Sequence, residues 1–237
     1  LSPLEAGLWS LPSALGFIVG SQAAPWILRR VRPAYVIGVG LAMASVGLAM
    51  LTGVEGTDDL TLVITASVIA SLGLAPVFTA TTELIVGSAP LEQAGAASGI
   101  SETGSELGGA LGIAILGSIG AAVYRSELAD LLPTGVPAEA AGAARDTLGG
   151  AVGAAEGLPG QLGSSLVEAA QDAFIQGMRV SSAIATIVAI AVAVLAVSML
   201  RHVRSGADRE ADAEREAVAE RDNPSDVVVA EAVPAEC

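Results

Sequence analysis

Long stretches without a charged side chain dominate this sequence. Five of them contain no Asp, Glu, Lys or Arg: residues 6–28, 33–54, 60–82, 107–124 and 180–200. A helix needs about 20 largely apolar residues to cross the hydrocarbon core of a bilayer. Of all residues, 52% are hydrophobic and only 15% are charged, whereas soluble domains carry about 25% charged residues. The pattern predicts a membrane protein and excludes an ordinary soluble enzyme.

The same runs predict the fold class and its boundaries. We expect an all-α membrane protein with five transmembrane helices. Residues 125–179 are predicted to be an outer loop with a surface amphipathic helix over 162–174 and turns at Pro133, Pro137 and Pro159. The charged, aromatic-free tail at 201–237 is expected to be cytoplasmic and largely disordered. The predicted spans cover residues 6–28, 33–54, 60–87, 95–124 and 180–200, the fourth as one long helix.

Arginine placement predicts the orientation in the cell membrane. All 11 basic residues are Arg. Positive residues favour the cytoplasmic side of a membrane, which is the inner side of the cell (plasma or inner) membrane. The clusters therefore place the N-terminus of this chain outside and its tail inside. They comprise a basic loop between the first two spans (Arg29, Arg30 and Arg32) and a second cluster after the fifth (Arg201 and Arg204).

The charge balance and the rarity of reactive side chains narrow the function classes. Acidic residues outnumber basic ones 25 to 11, a net charge of −14, which argues against a nucleic-acid partner and leaves membrane lipid as the expected surroundings. The single cysteine, Cys237, can form neither an internal disulfide nor a CxxC site. We find no phosphate-binding loop with a Lys, no metal-ligand cluster and no nucleophile–base pair in the sequence. We therefore expect no enzyme and no cofactor.

Three glutamates lie within or beside the predicted spans. Glu102 and Glu106 are one helical turn apart in the fourth span, and Glu83 lies near the cytoplasmic end of the third. A charge at the bilayer centre costs at least about 2.5–3.5 kcal/mol, so intramembrane acids are functional candidates. Two such carboxylates disfavour each other's ionised form, so the pair can take up and release a proton. We predict that Glu102 and Glu106 exchange a proton and that Glu83 is a further candidate; the alternative for each is an interfacial position or, for Glu83, a salt bridge.

Small residues mark one face of the fourth span. Gly104, Gly108 and Gly112 recur every four residues, and Gly117 follows. Small residues at this spacing let membrane helices approach closely, so we predict that these glycines serve helix packing. The face that carries the two glutamates points away from them.

The fourth span and the start of the chain resemble a known family. Residues 107–117, LGGALGIAILG, are similar to the LGxxxGxAxxG motif in the penultimate span of 14-span drug:proton antiporters of the major facilitator superfamily. Residues 2–12, SPLEAGLWSLP, resemble the entry to their tenth span, and SETGSELGG at 101–109 is similar to the QacA/SmvA-like branch. The resemblance covers residues 1 to about 200 and implies spans ten to fourteen of a major-facilitator-type bundle.

This resemblance implies export of lipophilic or cationic compounds in exchange for protons, with the proton gradient as energy source. By position, Glu106, Glu102 and Glu83 become the candidates for binding cation and proton. Few aromatic residues could contact a substrate. The candidates are Trp9, Phe17 and Phe78, and each is also a candidate for helix packing or lipid contact.

The chain begins with Leu1 rather than Met, in a pattern typical of a loop. We therefore expect the N-terminal half of the same transporter as a partner. The alternative is a non-transporting five-span membrane protein that binds partner helices through its glycine stripe.

Overall fold

The computed structural model describes residues 3–56, 59–203 and 215. In these residues the chain forms seven α-helices and a single 3₁₀ turn, Leu91–Gln93. The helices are α1 (Pro3–Arg30), α2 (Pro33–Leu51), α3 (Leu60–Gly87), α4 (Ala94–Leu131), α5 (Ala138–Asp146), α6 (Leu148–Ala155) and α7 (Gly160–Leu200).

Five segments in this part of the chain are long and apolar enough to cross a membrane, which confirms the predicted all-α, five-span class. They are Gly7–Arg30, Pro33–Leu51, Leu60–Gly87, Leu91–Leu131 and Gly160–Leu200. The predicted tail at 201–237 lies outside the described residues except for 201–203 and 215.

Most of the segment 125–179, for which an outer loop with one surface helix over 162–174 was expected, is helical. α4 continues to Leu131, and the amphipathic stretch at 162–174 is the beginning of the 41-residue α7. A charge-free run shows where the chain can lie in the hydrocarbon core, but it does not show where a helix ends. A helix satisfies its own backbone hydrogen bonds and can continue beyond the apolar stretch. The predicted turns do fall between helices, at Leu132–Pro137 and Gly157–Pro159.

Helices α1, α2 and α3 pack through glycine contacts. A methyl group added at Gly40 or at Gly73 would overlap the backbone of the other residue's helix, so α2 and α3 touch backbone to backbone. Gly20 of α1 lies against the carbonyl of Leu72, which Pro76 leaves without its helical N–H partner. Close packing of this kind holds membrane helices together, because in lipid there is no hydrophobic driving force between them.

Helices α2 and α7 run antiparallel, and an arginine contact joins them at each end of α2. Arg179 in α7 donates its Nε–H to the carbonyl of Thr52, which follows the last residue of α2, at 2.8 Å. At the other end, Arg32 donates from Nη1 to the carbonyl of Arg201, after the last residue of α7, at 3.4 Å. Both contacts supply a cation and a donor to free carbonyls at a helix C-terminus.

The second of these contacts brings together the two arginine clusters that the sequence placed on one side of the membrane. We call this side of the bundle the arginine end; it comprises Arg29, Arg30, Arg32 and Arg201. A hydrophobic cluster lies beside it, formed by residues that include Leu28, Val36, Leu84 and Leu200.

The opposite end carries a small helical unit with its own core. The end of α4, the short helices α5 and α6, and the first half of α7 pack around Leu128 and Leu166, both fully buried. Tyr124 donates its hydroxyl to the carbonyl of Ala144 at 2.6 Å and thereby ties α4 to α5.

Candidate functional site

A groove between α1, α3 and α4 brings two of the predicted glutamates together. Its volume is about 670 Å³, within the range typical of small-molecule sites. Glu83 reaches it from α3 and Glu102 from α4. We call it the carboxylate groove; it is lined by Phe17, Ser21, Ala75, Phe78, Thr79, Thr82, Glu83, Val86, Ser101, Glu102 and Ser105.

An aromatic pair forms one wall of the carboxylate groove. The rings of Phe17 and Phe78 have their centroids 6.3 Å apart and are tilted by 56°. This distance lies within the range of favourable aromatic pairs. Both residues were candidates from the sequence; the third, Trp9, is half-exposed on α1 and does not line the groove.

Helical spacing explains why each wall presents these side chains. Phe78 and Thr82 are four residues apart on α3, and Glu83 follows on the same side. On α4, Ser101 and Ser105 have the same separation, with Glu102 between them. The connection between the two helices is short and includes the 3₁₀ turn, so α4 returns beside the last turns of α3.

The groove lies toward the arginine end. Glu83 precedes the last residue of α3 by about one turn, and its neighbour Leu84 packs in the hydrophobic cluster with Leu28 and Leu200. Glu83 and Glu102 are both exposed in this chain, so the groove is open on one side.

Glu106 lies outside the groove. It is one turn beyond Glu102 on α4, and its side chain is exposed but does not line the same cavity. The structure therefore brings together two of the three predicted coupling residues. The role of Glu106, like the roles of the other two, stays a prediction.

The predicted packing glycines face open space in the described part of the chain. A Cβ atom built at any of Gly104, Gly108, Gly112 and Gly117 meets no heavy atom within 4 Å. Their packing role stays a prediction that requires a helix beyond those described.

Helices α4 and α7 approach each other closely at a pair of glycines that were not predicted from the sequence. A Cβ atom on Gly177 would lie 2.7 Å from the carbonyl oxygen of Gly120. Gly120 continues the four-residue series of the stripe two steps beyond Gly112, so the pattern contained a signal for it. Gly177 had none.

The basic loop is partly engaged in contacts within the chain. The guanidinium of Arg30 lies 4.6 Å from the ring centroid of Trp26, a cation–π distance. Arg32 contacts α7 as described above, and Arg29 is exposed.

Among the described residues, no group of three or more His, Cys, Asp or Glu side chains is placed to hold a metal ion. The carboxylate groove offers two carboxylates, several hydroxyls and an aromatic wall.

Comparison with known proteins gives relatives of one kind. The chain is 35% identical over 193 residues to the multidrug efflux pump LfrA of Mycolicibacterium smegmatis, covering 81% of this chain and 38% of that protein. It is 33% identical over 202 residues to the tetracenomycin C resistance and export protein of Streptomyces glaucescens, covering 83% of this chain and 38% of that protein. The methyl viologen resistance protein SmvA of Salmonella typhimurium is 35% identical over 182 residues, covering 74% and 35% respectively.

No protein-family model matches the chain. The chain spans less than two fifths of the length of these relatives. Their names denote efflux, export and resistance, which confirms the expected class and does not favour a non-transporting membrane protein. With five segments long and apolar enough to cross a membrane and 33–35% identity to these proteins over 74–83% of its length, the chain is a relative of multidrug efflux, export and resistance proteins, as its resemblance to the major facilitator superfamily predicts.

Proposed function

We propose that the complete protein exports lipophilic or cationic compounds in exchange for protons, and that the carboxylate groove supplies part of its substrate site. The observation that carries the proposal is the meeting of Glu83, Glu102 and the pair of Phe17 and Phe78 in one cavity. Carboxylates attract a cation, and aromatic rings accept both its charge and its apolar body.

Exchange follows from competition for the same carboxylates. An ionised glutamate stabilises a bound cation, and a protonated one does not. A proton that reaches the groove therefore weakens drug binding, and a drug that enters favours loss of the proton. The membrane potential contributes about 2.3 kcal/mol per charge for each 100 mV, so inward proton movement can drive uphill export without a further cofactor.

The proposed orientation places the groove where a drug can enter from the cell interior. With the arginine end in the cytoplasm, Glu83 and Glu102 lie in the inner half of the membrane. The open side of the groove and the bare glycine face of α4 are then available to the N-terminal half of the transporter. Glu106, on an exposed face of α4, would contribute a carboxylate to the space between the two halves.

Two measurements on the complete, purified protein test this proposal: equilibrium binding of a cationic drug, and the proton release that the drug induces. Glu102→Gln and Glu83→Gln each remove a charge from the groove without changing its shape. We expect each to reduce cation binding by about tenfold, and Glu106→Gln to abolish proton release. Asp130→Asn is the matched control, because Asp130 is exposed on the same helix beyond the groove.

The outcomes separate the roles of these residues. Unchanged cation binding in both groove variants contradicts the assignment of the groove. Undiminished proton release in Glu106→Gln moves the coupling role away from that residue.

A further inference from the structure

A second cavity lies where the helical unit at the end opposite the arginine end meets the bundle. It is an apolar groove of about 450 Å³ between α4, α7 and the joint of α5 and α6. A volume of this size suits one small drug-like molecule. Its lining comprises Leu116, Gly117, Gly120, Ala121, Tyr124, Asp146, Thr147, Leu148, Phe174, Gly177, Met178 and Ser181.

The space exists because two glycines of α4 carry no side chain there. Gly120 lies against Gly177, and both residues line the groove. Gly117 lies one turn away, and a Cβ atom at this position meets no heavy atom within 4 Å. The groove can therefore be filled from Gly117 without disturbing the contact between α4 and α7.

Most polar groups of the lining already have partners. The hydroxyl of Tyr124 donates to the carbonyl of Ala144, and the hydroxyl of Ser181 donates to the carbonyl of Leu116 at 3.1 Å. The remaining surface is supplied chiefly by aliphatic carbon, by the sulfur of Met178 and by the half-exposed ring of Phe174. An occupant of this groove needs an apolar body.

Asp146 is the one charged residue that lines the groove. It is the last residue of α5, where the helix dipole disfavours an acid. The position is therefore unfavourable for helix stability, and the exposed carboxylate adds a negative charge to the lining of the groove. Arg145 precedes it in the chain but does not line the groove.

We infer that the apolar groove is a second binding site for lipophilic cations, with Asp146 as the counter-charge and Phe174 and Met178 as apolar contacts. The inference rests on the proposed export function for the class of compound. It adds a site far along α4 from the carboxylate groove, on the side from which an exported compound leaves in the proposed orientation.

Equilibrium binding of tetraphenylphosphonium to the complete protein, without any gradient, tests the inference. The measurement is made in a Glu83→Gln, Glu102→Gln background, so that the carboxylate groove contributes little. We expect residual binding that Gly117→Leu abolishes and Asp146→Asn weakens about fivefold, as the loss of one nearby charge in a half-solvated site predicts. Neutral triphenylphosphine oxide should be insensitive to Asp146→Asn.

Matched controls keep the result specific. Gly153→Leu places the same side chain on α6 at a position with nothing within 4 Å, and Glu139→Gln removes an acid from α5 outside the groove. Both should bind the cation as the background does. Thermal unfolding of each variant excludes loss of the fold as a cause, and Asp146→Asn should be at least as stable as the background.

Each outcome decides the question. No residual binding in the background, or residual binding that survives Gly117→Leu, overturns the second site. Residual binding that Asp146→Asn does not weaken, with equal affinity for the neutral compound, shows a site for neutral lipophiles such as acyl chains and overturns the assignment to cations. Full binding in the background that Gly117→Leu then abolishes supports the second site while refuting the role of the carboxylate groove.

Discussion

The contact of Gly120 with Gly177 predicts a graded response to the addition of one methyl group. In Gly177→Ala the new Cβ atom would lie 2.7 Å from the carbonyl oxygen of Gly120, about 0.7 Å short of the 3.4 Å at which ordinary contact begins. The atom that it meets is backbone, so the whole of α4 must move away from α7. Overpacking of this kind typically costs about 1–3 kcal/mol.

The substitution Gly120→Ala, on the other helix of the contact, should destabilise the protein less. In Gly120→Ala the nearest atom is the hydroxyl oxygen of Ser181, at 2.9 Å, and a side chain can rotate where a backbone cannot. The cost is then the hydrogen bond from Ser181 to Leu116, about 0.5–1.5 kcal/mol. In both variants alanine recovers part of the loss, because it favours a helix over glycine by about 0.8–1 kcal/mol.

Thermal unfolding of the complete protein in detergent measures these differences. We expect Gly177→Ala to be the least stable variant, Gly120→Ala to lie close to the parent, and Gly153→Ala to match or exceed the parent because its Cβ position is open. Equal stability of Gly177→Ala and Gly153→Ala would refute the described contact between α4 and α7.

Three further variants probe other contacts. Arg179→Gln removes the guanidinium that caps α2 at Thr52, and we expect a loss of about 1–3 kcal/mol in the same unfolding assay; an unchanged midpoint contradicts the cap. Tyr124→Phe leaves the buried carbonyl of Ala144 without its donor, so we expect a loss of about 1–3 kcal/mol and faster proteolysis of the α5–α6 segment; equal protection argues against this hydrogen bond. Phe17→Leu keeps apolar volume but removes a ring from the carboxylate groove, so cationic substrates should lose about two- to fivefold in affinity while neutral ones are retained; an equal loss for both classes points to packing alone.

The five membrane helices were predictable because a bilayer imposes one simple requirement, a long apolar run. The helix ends were not, because charged residues mark the membrane boundary and not the helix boundary. Arg179 lies just before the charge-free run 180–200, yet α7 begins earlier, at Gly160, and this arginine caps α2. Arg125 likewise lies within α4, which continues to Leu131.

The candidate site was predictable as residue types but not as an arrangement. The rarity of acids near membrane spans singled out Glu83 and Glu102 separately. Their shared cavity depends on how α4 returns beside α3 and on which face of α1 meets them, and neither can be read from one helix at a time. The same limit explains the missed contact at Gly177, whose partner is distant in the sequence.

The two arginine contacts between α2 and α7 also determine when, during synthesis, this part of the protein can assemble. Thr52 is separated from Arg179 by 127 positions, and Arg32 from Arg201 by 169. A ribosome synthesises α2 long before α7, so the carbonyl at the C-terminal end of α2 has no arginine partner while the four helices α3 to α6 are synthesised. Both contacts form only once α7 and the residue that follows it have been synthesised. Assembly of this region is therefore completed late, and a chain that stops before α7 leaves its second membrane helix without either of these contacts.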